Sequence, residues 1–215
     1  MPSYFTVKNE CENTIVIEKS RFICSMKNID SEEDAKKFIE KISKKYSLAT
    51  HNCYAYIADE NGQNFKFSDD GEPQGTAGIP ILNTLKSKGF CKTVAVVTRF
   101  FGGIKLGVGG LARAYSCSVQ ECIKNSAISN MKPSVFLSLT FSYDEYARFS
   151  KISDSSFAIV DTDFSDNVKI KIAIIFETES VNRIKSKLSD MFSGKNVIES
   201  ESQGYFDFAG EVCQK

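Results

Sequence analysis

Five glycines and three cations alternate in one stretch of the chain, Thr98-Arg-Phe-Phe-Gly-Gly-Ile-Lys-Leu-Gly-Val-Gly-Gly-Leu-Ala-Arg-Ala-Tyr-Ser116. Glycine permits positive φ and leaves the backbone accessible, so several amide N–H groups can converge on one ligand. Apolar residues at helical spacing from Leu111 onward predict a helix, whose N-terminus adds unpaired amides. The stretch therefore predicts a phosphate-binding or nucleic-acid-binding site, formed by Arg99, Gly102, Gly103, Lys105, Gly107, Gly109, Gly110 and Arg113. The alternative is a set of tight turns whose glycines serve packing alone.

A second motif lies about thirty residues upstream, Ser68-Asp-Asp-Gly-Glu-Pro-Gln-Gly-Thr-Ala-Gly-Ile-Pro80. Its carboxylates could hold a divalent cation beside a bound phosphate, because hard cations favour clustered carboxylates. They could equally cap the helix that Pro80 opens, or pair with the arginines of the glycine-rich stretch. The supporting residues of the predicted site are Asp69, Asp70, Glu72, Thr76 and His51.

The sequence offers no complete set of catalytic groups. His51 is the only histidine, and Cys53 stands two residues further along the same predicted strand. Such neighbours point in parallel rather than at each other, which disfavours a nucleophile pair. The seven cysteines form no Cys-x-x-Cys pair, so neither a zinc site nor a disulfide framework is indicated. We therefore expect a non-enzymatic protein without catalytic residues, metal or cofactor.

Two familiar nucleotide-binding motifs match only in part. Gly102-Gly-Ile-Lys-Leu-Gly107 has the spacing of a phosphate loop, but Val108 and Gly109 occupy the positions of the required Lys and Ser/Thr. Gly107-Val-Gly-Gly-Leu-Ala112 has the glycines of a dinucleotide-binding turn, but it lies too far beyond the preceding strand. Both interpretations are rejected.

The pattern of strands and helices predicts an α+β protein with two domains, residues 1–132 and 134–215, divided near Asn130-Met-Lys-Pro133. Before this point, antiparallel strands and helices surround the glycine-rich loops, and the β-branched run Thr93–Thr98 indicates a central strand covered on both faces. After it, the order is βαββαβ, which is typical of a ferredoxin-like domain.

Charge is distributed unevenly between the two parts. The whole chain is formally neutral, but residues 1–133 carry 18 Lys and Arg against 14 Asp and Glu, and the remainder carries 9 against 13. The first part is thus the better candidate to face a polyanion. The N-terminal residues lack the features of a signal peptide and no apolar run is long enough to span a bilayer, so we expect a cytoplasmic protein without membrane contact.

Three motifs closely resemble the IMPACT family, specifically its bacterial YigZ-type members: His51-Asn-Cys-Tyr-Ala-Tyr56, Ser68–Gly78 and Arg99–Tyr115. Phe100 and Val108 stand where members often carry Tyr and Thr, so two hydroxyl groups are missing here. The resemblance implies that the first domain is an α/β-sandwich similar to the second domain of certain ribosomal proteins and to the fourth domain of elongation factor G. It also implies that the second domain resembles the fifth domain of that factor.

These parallels direct the functional expectation toward RNA or the ribosome, although a fold alone does not define a function. Eukaryotic relatives regulate translation through an additional N-terminal domain, and that specific role is not carried over. We expect a nucleic-acid-binding or phosphate-binding protein, with RNA as ligand and a translation-related or regulatory role. The alternatives are a metal-assisted hydrolase of a small or phosphorylated substrate, and a regulator that docks a protein through its C-terminal domain.

Overall fold

A computed structural model describes residues 2–152 and 157–208 of the chain. The chain separates into two compact units that divide between Ser129 and Asn130. Both combine antiparallel strands with helices, so the predicted α+β class with two domains is confirmed. Among the helices in these residues, none has the length and apolar composition that crossing a membrane requires.

The first domain is built on a five-stranded antiparallel sheet. Its elements are β1 (Tyr4–Val7), β2 (Cys11–Ile17), β3 (Ser20–Asn28), α1 (Glu32–Lys45), β4 (His51–Ile57), β5 (Phe65–Ser68), α2 (Gly78–Ser87), β6 (Thr93–Phe100) and α3 (Gly107–Lys124). The sheet has the order β2-β3-β6-β4-β5, which places β6 at its centre. Seven of the eight residues of β6 are buried, as the β-branched run predicts.

The two faces of this sheet bury separate cores. Ala95 and Val97 of β6 face α2 and α3, whereas Val94 and Val96 face α1. Each buried valine stabilises the fold by roughly 1.5–3 kcal/mol relative to an exposed one. Because side chains alternate along a strand, Arg99 continues the row of Ala95 and Val97 and lies on the α3 side.

The helices of this domain begin and end at residues with clear local signals. Ser31 caps α1 by accepting a hydrogen bond from the amide of Asp34 at 3.2 Å. Pro80 lies in the first turn of α2, and Gly89 ends that helix region with a φ of +70°. The helix α3 starts at Gly107, four residues before the predicted start at Leu111. Glycine disfavours helix by about 1 kcal/mol, but the buried stripe from Leu111 to Cys122 outweighs that cost.

The second domain is ferredoxin-like. Its elements are β7 (Ile128–Phe141), α4 (Tyr143–Phe149), β8 (Phe157–Phe164), β9 (Val168–Ile175), α5 (Thr178–Met191) and β10 (Ile198–Asp207). The strands pair antiparallel in the order β10-β7-β9-β8, which corresponds to the 4-1-3-2 order of that fold. One face of the sheet packs against both helices around a core that includes Leu137, Ile172 and Leu188.

Candidate anion-binding site

Residues 101–106, the glycine loop, connect the central strand β6 to α3. A side chain at Gly102 would overlap the backbone of Lys19 and Ser20, so the loop approaches the β2–β3 turn too closely for any other residue. Gly103 and Gly107 have φ values of +90° and +69°, which favour glycine for conformational reasons. A Cβ added at either residue would have no heavy atom within 4 Å, so the backbone there faces open space.

Within residues 2–152 and 157–208, no side chain caps the N-terminus of α3. Leu106 precedes the helix and offers no side-chain hydrogen bond, and the first turn holds no acidic residue. The first amides of an α-helix have no acceptor within the helix, and the helix dipole adds partial positive charge there. Gly107, Val108 and Gly109 are all exposed. This end of an 18-residue helix therefore presents unpaired donors to a ligand.

Two exposed cations, Lys105 and Arg113, lie beside these amides. Among the described residues, neither forms an ion pair. A guanidinium nitrogen of Arg113 lies 3.6 Å from the position that a Cβ at Gly109 would occupy, so the Arg113 side chain runs along the first turn of α3. Gly110 lies under Leu106, with only 3.0 Å between that side chain and an added Cβ. Both cations thus remain available to an anion at the helix end.

Arg113 separates two open depressions of about 430 and 570 Å³. The larger is also lined by Lys105, Ile104 and Glu18, and the smaller by Asn83 and Gln120. Neither encloses a ligand, which suits a surface contact with an extended molecule better than a closed pocket for a small metabolite.

Arg99 does not join the other two cations. Its side chain is 6% exposed, and its guanidinium donates to Glu72 Oε1 over 2.7 Å. The sequence motif groups Arg99 with Lys105 and Arg113, but alternation along β6 points it inward, where its charge is matched by a carboxylate. The inward direction of Arg99 was predictable from the sequence, because Arg99 shares one face of the strand with the apolar residues Ala95 and Val97.

A buried polar network extends from this ion pair. The hydroxyl of Tyr115 donates to Glu72 Oε1 at 2.8 Å, and Cys53 Sγ lies 3.3 Å from the same hydroxyl. Ser20 Oγ lies 3.5 Å from Arg99 and accepts a hydrogen bond from the amide of Gly102 at 3.1 Å. The network therefore ties the glycine loop to the acidic motif beneath it.

Ser20 and Tyr115 were not among the predicted site residues. Tyr115 belongs to the apolar stripe of α3, and a buried tyrosine hydroxyl requires a polar partner, so its burial was a usable signal. Ser20 contacts Gly102 across 82 positions of sequence, and no local pattern indicates that contact.

Asp69 caps α2. Its carboxylate accepts hydrogen bonds of 2.8, 3.0 and 2.8 Å from the amides of Gly75, Ala77 and Gly78. Burial acts to raise the pKa of the Asp69 carboxyl, but these amides outweigh it and hold the pKa below its usual value. Thr76 lies in the same loop, where its hydroxyl donates to the carbonyl of Pro73 at 2.6 Å.

Asp70 and His51 form a separate contact at the end of β4. Nδ1 of His51 lies 2.7 Å from the carbonyl oxygen of Asp70, and the Asp70 carboxylate accepts from the amide of Asn52 at 2.5 Å. Cys53 is not paired with His51; its Sγ lies 2.9 Å from the carbonyl oxygen of Asp69. Burial raises the pKa of the Cys53 thiol, which keeps it protonated. An activated nucleophile is not favoured by this arrangement.

Two family models match the chain. The Impact N-terminal domain matches residues 18–123, within the first domain. A domain of unknown function (DUF1949) matches residues 139–195, within the second.

Similar proteins extend over both domains. The chain is 40% identical over 208 residues to the IMPACT family member YvyE of Bacillus subtilis (strain 168), an alignment that covers 96% of this chain and 95% of the relative. It is 33% identical over 181 residues to the IMPACT family member YigZ of Escherichia coli (strain K12), covering 83% and 88% of the two chains. The crystal structure of a hypothetical protein covers 96% of this chain and 98% of its own, with a TM-score of 0.59 and 30% sequence identity.

Proposed function

The chain belongs to the IMPACT family, and on that premise we propose that its first domain binds the phosphate backbone of RNA at the N-terminus of α3, in a translation-related role. The uncapped first turn of α3 carries this proposal. It presents the exposed amides of Gly107, Val108 and Gly109 between two cations without ion pairs among the described residues, Lys105 and Arg113. Amides at a helix N-terminus and flanking cations are the donors that bind phosphate.

Two available cations imply a modest electrostatic contribution. Lys105 and Arg113 together neutralise about two phosphates, so the logarithm of the RNA association constant should fall with the logarithm of salt concentration with a slope of about −1.4 to −1.8. Contacts to phosphate position a strand without reading its bases. Binding is therefore weakly selective for sequence.

A binding role fits the carboxylates better than hydrolysis does. The carboxylate of Asp69 is committed to the amides of Gly75, Ala77 and Gly78, and Oε1 of Glu72 to Arg99 and Tyr115. A metal-assisted hydrolase would need these oxygens as ligands. That second candidate function would require the acidic loop to rearrange.

RNA is preferred as the polyanion because the family resemblance implies a fold similar to domains of ribosomal proteins and of elongation factor G. We place the protein in the cytoplasm on the same grounds. The second domain, whose sequence carries an excess of acidic residues, is proposed to dock a protein partner rather than to bind RNA.

Titration of a labelled RNA oligonucleotide tests the proposal. We expect Lys105→Ala and Arg113→Ala each to weaken binding about threefold to fivefold, the effect of losing one solvent-exposed charge contact. The matched control is Lys124→Ala, which removes an exposed lysine from the last turn of the same helix and should leave the affinity unchanged.

Two further measurements decide whether the ligand is RNA or a small anion. One is the affinity for RNA oligonucleotides of increasing length, and the other is competition with inorganic phosphate. RNA affinity should rise with length until the strand spans both cations. Affinity that is independent of length, together with full displacement by millimolar phosphate, would support a small phosphorylated ligand instead. Variants of Lys105 and Arg113 that bind RNA like the wild type would refute the proposed site.

A further inference from the structure

His51 is the one histidine of the chain, and the RNA site proposed above gives it no role. In the pairing of β4 with β6 it lies directly opposite Arg99. Arg99 is two residues before the start of the glycine loop. The adjacent Thr50 holds that loop, because its hydroxyl accepts a hydrogen bond from the amide of Phe101 at 3.1 Å. His51 shares a sheet face with Cys53, whose Sγ lies 3.3 Å from the hydroxyl of Tyr115 in α3. His51 therefore lies at the strand end where the glycine loop begins, on the sheet face that α2 and α3 cover.

The imidazole is held in one orientation. A carbonyl oxygen only accepts hydrogen bonds, so Nδ1 must donate its proton to Asp70 at 2.7 Å. The ring lies against Gly71, where an added Cβ would be 3.4 Å from Nδ1 and where φ is +84°. In the neutral ring, the other nitrogen, Nε2, is then an acceptor with a fixed direction.

Nε2 has no hydrogen-bonding partner among the residues that the structure describes. The charged groups around the ring are occupied elsewhere: the Asp70 carboxylate accepts from the amide of Asn52, and Arg99 pairs with Glu72. His51 is itself only partly buried, so a ligand can reach this nitrogen.

The phosphate-binding groups cannot distinguish RNA from DNA. The amides of α3, Lys105 and Arg113 are all donors, and they meet the same phosphate oxygens in both nucleic acids. The ribose 2′-hydroxyl, which DNA lacks, differs because it can donate a hydrogen bond. Recognition of that group as a donor requires an acceptor beside the phosphate site.

We propose that His51 Nε2 accepts a hydrogen bond from a ribose 2′-hydroxyl of the bound strand, and that this contact makes the site select RNA over DNA. The inference rests on the proposed function, since it adds a sugar contact to a phosphate-bound strand. It assigns two separable tasks: the cations and amides bind either nucleic acid, and His51 distinguishes between them.

The test compares three labelled single strands of one sequence: RNA, DNA with deoxyuridine in place of uridine, and 2′-O-methyl RNA. The methylated strand keeps the 2′ oxygen but cannot donate. All binding titrations are performed at the same pH and salt concentration. The full-length wild type should bind RNA about threefold to tenfold more tightly than both other strands, the effect of one hydrogen bond.

Two variants separate the tasks. His51→Phe keeps a ring on Gly71 and should bind all three strands with the affinity that the wild type shows for DNA. Lys105→Ala should weaken all three by the same factor and preserve the preference for RNA. His51→Ala provides a second variant if the phenylalanine disturbs the fold.

The outcomes are distinct. Equal wild-type affinity for the three strands, with Lys105→Ala still weakening them, would overturn the role of His51 and leave the phosphate site intact. A histidine variant that loses affinity for all three strands alike would show that His51 only supports the fold. Failure of every strand to bind would overturn both this inference and the proposed function.

Discussion

Burial separates the ionisable side chains around the glycine loop into two groups. Arg99 and Glu72 are almost completely buried and pair with each other, whereas Lys105 and Arg113 remain exposed. A buried charge must be matched within the fold, because leaving it without a partner costs several kcal/mol. The inner pair therefore shapes the loop, and the outer cations are left for a ligand.

Asp69 gives the first prediction at this scale. The pKa of its carboxyl is lower in the folded than in the unfolded protein, so the ionised carboxylate stabilises the fold. This stabilisation is fully present above the unfolded pKa of about 3.9 and is lost as the pH falls through the folded pKa. Asp69→Asn replaces an acceptor oxygen by a donor that faces an amide, and it should lower the free energy of unfolding at pH 7 by about 1–2 kcal/mol.

Urea denaturation between pH 7 and pH 2.5 measures this. The difference in the free energy of unfolding between wild type and Asp69→Asn should shrink as the pH falls. Asp30→Asn alters an exposed carboxylate of the same domain and should unfold with nearly the wild-type free energy at every pH. A difference for Asp69→Asn that is constant with pH would contradict the capping role of the ionised carboxylate.

The roles of single residues were only partly predictable from sequence. The exposure of Lys105 and Arg113 follows from their positions in a loop and on the polar side of a helix. The capping role of Asp69 was one of three alternatives, beside a cation site and pairing with an arginine, and only the positions of the amides of Gly75, Ala77 and Gly78 decide among them. Alternation along β6 does place Arg99 on the inner face, but its charge suggested a surface contact.

At the scale of the element, the glycines of the loop and of α3 serve different needs. Gly102 is required by a backbone contact with the β2–β3 turn, and Gly103 and Gly107 by positive φ. Gly109 has neither constraint and lies within the helix. Glycine therefore serves three purposes here: close contact between two backbone segments, a turn with positive φ, and an exposed helix N-terminus.

A pair of substitutions tests this distinction. Gly102→Ala should destabilise the domain by more than about 2 kcal/mol, because the methyl group would overlap backbone that cannot move independently. Gly109→Ala should leave the free energy of unfolding unchanged or raise it by up to about 1 kcal/mol, since alanine favours helix. Chemical denaturation of both variants provides the measurement. Equal destabilisation by the two would contradict the requirement for glycine at the Gly102 backbone contact.

The strands were more predictable than the start of α3. Alternating and β-branched runs define β4 and β6 locally, and Gly89 defines the end of α2. The sequence pattern predicts too late a start for α3 because glycine propensity argues against helix, while the opposing term, burial of Leu111 and Tyr115, depends on tertiary packing. The network from Cys53 to Ser20 could not be predicted, since its members meet only in the folded domain.

At the scale of the whole molecule, each of the two domains has its own core. The glycine loop, the acidic motif and His51 all lie in the first domain, which is also the more basic part of the sequence. The proposed RNA site thus needs only that domain. The order of strands in the second domain followed from its βαββαβ pattern.

We predict that the fragment of residues 1–132 folds alone and binds RNA. It should unfold cooperatively in urea and show the helix and strand signals expected from circular dichroism, because a domain with its own core can fold independently. Its RNA affinity should lie within about threefold of the full-length value, since the fragment keeps the uncapped end of α3. Loss of a cooperative transition would show that residues after 132 complete the first core.

The most direct test of the central claim is the RNA affinity of Val108→Asp, measured against the matched neutral variant Val108→Asn. Val108 is 67% exposed in the first turn of α3, so neither substitution removes a packed side chain. A carboxylate there favours the helix dipole and should raise the free energy of unfolding by about 0.3–1 kcal/mol. It should also occupy the amides and repel phosphate, and so weaken RNA binding by about tenfold, whereas Val108→Asn should bind within about twofold of the wild type. A Val108→Asp protein that is folded and binds RNA as tightly as the wild type would contradict phosphate binding at this helix end.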